Sequence, residues 1–88
     1  MIDETEMDEK AEVLAIFRRD NLYTCQPLKF RFRNGEVEVS EIGLVYPIRS
    51  HGSLTYCFDV TDGQADYRLE LNTNRLTWKV TREADHYS

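Results

Sequence analysis

Leu28-Lys29-Phe30-Arg31-Phe32-Arg33-Asn34-Gly35-Glu36-Val37-Glu38-Val39 alternates apolar with charged side chains on either side of an Asn-Gly pair. A period of two is the pattern of a strand with one face buried, and Asn-Gly favours a two-residue hairpin turn. Taken as that turn, Asn34-Gly35 sets Phe32 opposite Val37 and Phe30 opposite Val39, with Arg33 opposite Glu36 and Arg31 opposite Glu38. Apolar side chains then meet on one face and opposite charges on the other, the arrangement that stabilises an antiparallel pair.

Downstream the same logic recurs. Leu54, Tyr56, Phe58 and Val60 share one phase, and Ala65, Tyr67, Leu69 and Leu71 share the next, around Asp62-Gly63. A two-residue turn there pairs Val60 with Ala65 and Phe58 with Tyr67, but it also sets Asp59 against Asp66. Like charges in that position are destabilising, so either the turn is longer or the two carboxylates splay into water. Asn72-Thr73-Asn74-Arg75 then links to a last strand with Leu76, Trp78 and Val80 inward, so that Leu71 meets Leu76. Pro47 and Gly52 mark 43–53 as an irregular connection.

The apolar run Val13-Leu14-Ala15-Ile16-Phe17 fits either a helix or a strand buried on both faces. We favour a strand over 11–18. Residues 1–12 hold six acids (Asp3, Glu4, Glu6, Asp8, Glu9, Glu12) against Lys10, while the remaining ten acids balance ten basic residues. Residues 1–10 therefore read as a flexible acidic leader that is partly helical at most, 11–82 as one β domain, and 83–88 as a polar tail. The expected fold is all-β: a meander of five or six antiparallel strands, either a strongly curled sheet or one closed into a small SH3-like or barrel-like body.

Val13-Leu14, Pro27-Leu28-Lys29-Phe30-Arg31-Phe32, Gly35, Val37-Glu38-Val39 and Ile42, followed by Thr55-Tyr56-Cys57-Phe58, Tyr67-Arg68-Leu69 and Leu76-Thr77-Trp78, resemble a loose group of short bacterial β proteins of uncharacterised function. Some look-alikes accompany translesion DNA polymerases. The likeness covers most of 11–81 in core and turn positions. It implies a fold and a bacterial origin, and it carries no functional residue across.

The neutral body argues against strong nucleic-acid affinity, which depends on neutralising phosphate. Lys29, Arg31 and Arg33, with Arg68 and Lys79 on the same outer side, form the one basic stripe that could track a nucleic-acid backbone or a partner. The plainer account is that the stripe faces the glutamates of the neighbouring strand and solvates the sheet. Phe30, Phe32, Tyr56, Phe58, Tyr67 and Trp78 share the apolar phase and are expected in the core rather than as base-stacking platforms.

Cys25, Cys57, His51 and His86 lack metal-site spacing. Ser50-His51-Gly52-Ser53 fixes no partner carboxylate for catalysis, and Asp59, Asp62 and Asp66 lack a calcium-loop signature. No catalytic, cofactor-binding or metal residue is assigned, and an enzyme is not expected. Neither a membrane-crossing run nor a secretory signal is found, so the expected compartment is the cytoplasm. The expected function is a non-enzymatic module that binds an unknown protein partner through a sheet edge or outer face. The alternatives are a nucleic-acid accessory using the basic stripe, and a structural homodimer paired through a sheet edge.

Overall fold

A computed structural model describes residues 4–18 and 25–86. Seven strands run β1 (Glu4–Phe17), β2 (Cys25–Phe32), β3 (Gly35–Glu38), β4 (Glu41–Ser50), β5 (Ser53–Thr61), β6 (Ala65–Asn72) and β7 (Thr77–Asp85). They form a single antiparallel sheet in the order β3-β2-β1-β7-β6-β5-β4, and no helix occurs among the described residues. The expected all-β class and the strand over 11–18 are both found. The expected five- or six-stranded meander is not: the sheet has seven strands and is not closed into a barrel, because no ladder joins β3 to β4.

The acidic stretch read as a flexible leader is, from Glu4 onward, the first half of β1. Met7, Ala11 and Val13 pack on the core from its inner face, so the apolar period that starts the domain begins before residue 11. At the other end β7 runs to Asp85, past the expected boundary at 82. Residues 1–3 and 87–88 of these two segments lie outside the described residues.

β1 is the spine on which the sheet divides. Residues 4–11 pair with β7, ending at Ala11 opposite Trp78, whereas residues 12–17 pair with β2, from Glu12 opposite Arg31 to Phe17 opposite Cys25. A wing of β3, β2 and the second half of β1 can therefore swing over the face of the other strands. Phe30 and Phe32 both stand edge-on to Tyr67, with ring centroids 5.2 and 5.9 Å away, although β2 and β6 are not neighbours. Between the wings lies the core of Phe30, Phe58, Val60, Tyr67, Leu69, Leu71 and Val80. Phe30, Phe32, Phe58, Tyr67 and Trp78 all contribute to it, as their phase predicts, but Tyr56, expected with them, is 36% exposed and stays outside it.

The turns depart from the sequence reading. Phe32 faces Gly35, so the two-residue loop is Arg33-Asn34, with Arg33 at φ 52°. Phe30 then faces Val37, and Arg31 faces Glu36: the faces are kept and the partners move by two. The second turn is the longer one. Thr61 faces Asp66, and Asp59 faces Arg68 rather than Asp66, which removes the like-charge clash. Asp62 accepts bonds at 2.8 Å from the amides of Gln64 and Ala65, and this side-chain turn replaces the tight Asp-Gly reversal. Asn72 faces Thr77, which shifts Leu76 into the preceding turn at φ 56° and leaves it 74% exposed. Leu71 accordingly meets Trp78 instead. The stretch 43–53, read as irregular, holds most of β4 and a tight hairpin at His51-Gly52, whose φ values of 50° and 79° are those of a type I′ turn.

Candidate functional site

Lys29 and Arg31 lie on β2 and Arg33 in the turn that follows it, and each is held by an acid. Lys29 reaches Glu36 at 3.3 Å, Arg31 donates to both carboxylate oxygens of Glu12 at 2.9 and 3.0 Å, and Arg33 reaches Glu9 at 3.3 Å. Arg68 stands apart on β6 and reaches Asp59 at 3.4 Å. Lys79 pairs with Asp8 at 2.9 Å, and Arg82 lies 3.7 Å from Glu4. The acids of the supposed leader are thus counter-charges of the basic stripe, placed there because β1 lies between β2 and β7.

The other singled-out residues serve local structure. Asp62 caps its own turn, Asp66 lies 2.7 Å from His86 Nδ1, and Asp59 holds Arg68, so the three aspartates do not converge. No group of three or more His, Cys, Asp or Glu side chains suited to a metal ion gathers among the described residues. Burial raises the thiol of Cys25 and, helped by Glu70, pushes that of Cys57 to about 11. A thiol with so high a pKa is a poor nucleophile at neutral pH. His51 is a turn residue.

What the fold leaves unsatisfied is backbone. An unpaired strand edge presents a row of N–H and C=O groups that can take another strand, and proteins blunt such edges with charge, proline, bulges or short length. Four open edges of four residues or more are present among the described residues. β3 is four residues long and carries Glu36 and Glu38. β4 has an irregularity between Ile42 and Val45, and Pro47 within its ladder. Counting the alternating bonds from the Ser50–Ser53 pair beside the turn, Pro47 points its missing donor outward. The first half of β1 is open on its β2 side and carries Glu4, Glu6, Asp8 and Glu9.

The fourth edge shares one of these devices, a register shift against β2 between Leu14 and Ala15, but it carries no proline and, past Glu12, no charge up to Phe17. Beyond Ala11, β1 no longer pairs with β7, so residues 12–17 are open on that side. The Val39 amide bonds the Leu28 carbonyl at 2.9 Å, which turns alternate residues of β2 toward β3 and leaves Lys29 and Arg31 turned toward β1. Glu12 and Leu14 are consequently the residues bonded to β2, and Val13, Ala15 and Phe17 direct their N–H and C=O groups at the open side. The side chains here are Glu12 followed by Val, Leu, Ala, Ile and Phe, with Leu14 54%, Ile16 40% and Phe17 67% exposed. A cavity of about 590 Å³ lies alongside, between Glu12 and Val13 on β1 and the β6–β7 turn at Arg75 and Leu76.

Residues 11–18 are expected to be buried on both faces, and the structure corrects this: Val13 packs on the core while Leu14 and Ile16 face outward. The signal was a run with no polar face. Comparison with protein families, curated proteins and solved structures finds no match to this chain.

Proposed function

We propose that this chain is a non-catalytic protein-interaction domain whose working surface is the open edge of β1 over residues 12–17, where an extended segment of a polypeptide adds to the sheet. The observation that carries the reading is the contrast among the edges. Three are blunted by acids, proline or short length, whereas Val13–Phe17 has neither charge nor proline and is the longest unbroken apolar run of the chain. Main-chain bonds from Val13, Ala15 and Phe17 would supply affinity, and Leu14 and Ile16 on the outer face would select side chains. The basic stripe gives less support to a nucleic-acid accessory, because its cations already have acids at salt-bridge distance.

The test is a photoreactive phenylalanine analogue placed at Phe17 or, as control, at Leu44 on the β4 edge, in cells that make the protein. Both sites are well exposed. Adducts with a polypeptide from position 17 and not from 44, lost when Ala15→Pro is added, support the reading. Adducts from 44 with none from 17 overturn it.

A further inference from the structure

We propose that the strand filling this edge is residues 12–18 of a second copy of the chain, added antiparallel about a two-fold axis through Ala15. The inference rests on the edge reading above and names its occupant.

Symmetry limits the choices. An axis perpendicular to the sheet keeps the outer face outward in both copies, and opposed residues in an antiparallel pair share a face. The axis must therefore pass through a residue. Placed at Ala15, it sets Ala15 opposite Ala15 and Val13 opposite Phe17 of the second copy. These are the residues whose backbone groups are open, so each falls in a pair that exchanges two hydrogen bonds. On the outer face Leu14 meets Ile16, which covers two side chains that are 54% and 40% exposed in the single chain. Glu12 meets Arg18, an exposed cation opposite an acid.

The length of the slot agrees. The β7 ladder ends at the Ala11–Trp78 pair, and Arg75, Leu76 and Thr77 line the cavity beside Glu12 and Val13, so an added strand runs no further than the position opposite Glu12, where Arg18 falls. The rival axis through Leu14 fails on two counts. It sets Arg18 against Lys10, a like charge, and Lys10 already faces Lys79 in the β7 ladder. With the axis at Ala15, two wings join as one continuous sheet, β3-β2-β1 followed by the same three strands reversed.

Sedimentation velocity on the full chain over a wide concentration range, with residue-resolved amide exchange, tests this. The expected result is a dimer, with protection at Val13, Ala15 and Phe17 rising with protein concentration while Leu14 stays protected throughout. Arg18→Glu sets two acids together at each end and should raise the dimer dissociation constant about tenfold. Since Arg18 is exposed, that variant folds. Ala15→Pro removes an outward donor only and should abolish the dimer. A monomer at every concentration overturns self-pairing, and Arg18→Glu tightening the dimer overturns the register. If the pure protein is a monomer yet position 17 still forms adducts with other polypeptides, self-pairing falls and the edge reading stands.

Discussion

The Phe30 ring meets Tyr67 edge-on at 5.2 Å and 78°, although three ladders separate their strands in the sheet. This contact seals the wing carrying β2 and β3 over the strands behind it. Aromatic pairs of this geometry add to the apolar area they bury.

Phe30 is 1% exposed, so truncating it leaves a void that neither wing can fill. Phe30→Ala should destabilise the protein by about 3–5 kcal/mol, and Phe30→Leu by about 1 kcal/mol. Leu28→Ala, on a residue 39% exposed two positions before it, should change stability by less than about 0.5 kcal/mol. Urea denaturation followed by Trp78 fluorescence measures all three. Equal losses at 28 and 30 would refute the packing described.

Glu9 and Glu12 neutralise Arg33 and Arg31. The wild-type chain should show no salt-dependent binding to a single-stranded oligonucleotide. Glu9→Gln with Glu12→Gln frees two cations and should create weak binding, with affinity falling against salt at a log–log slope of about −1.4. Fluorescence anisotropy reads both, and strong salt-dependent binding by the wild type would contradict the pairing.

Cys57 is fully buried with its thiol pushed up to about 11, and Tyr67, buried beside Glu83 and Asp62, has its hydroxyl pushed to about 12. Both groups hold their protons more tightly folded than unfolded, where the values are 9.0 and 10.0. The unfolded chain binds fewer protons above those values, so stability is fully present below pH 9 and falls as pH rises through 11 and 12. Cys57→Ala should flatten the first part of that decline in urea titrations at stepped pH. A thiol reagent at neutral pH should modify Cys57 only after unfolding.

At the β4–β5 turn, His51 and Gly52 both take positive φ, a conformation in which Asn and Gly are least strained. His51→Asn should raise the melting temperature slightly. Gly52→Ala meets no atom within 4 Å yet should destabilise by about 1 kcal/mol through backbone strain alone. Calorimetry distinguishes the two directions.

The phase of β2, β3, β5, β6 and β7 was legible in the sequence, because side-chain alternation reports which face is apolar whatever the partner. Phe58, Tyr67, Leu69 and Val80 lie in the core accordingly. Register was less legible. Asn34-Gly35 looks like the stronger turn, but Arg33-Asn34 makes it and brings Arg31 against Glu36. Asp62-Gly63 opens into a longer loop because the Asp62 carboxylate binds two amides. The open edge at 12–17 could not be read at all. It depends on where β7 starts relative to β1, a long-range fact that no local pattern encodes.

That long-range pairing also orders events in time. Of the seven strands β1 is synthesised first and β7 last, so on the ribosome Glu4 and Ala11 wait for their partners, Ala84 and Trp78, until β7 has emerged. Contacts so distant in sequence close slowly. During that delay Met7, Ala11 and Val13 lack the core on which they pack, so their apolar side chains stay exposed in the nascent chain.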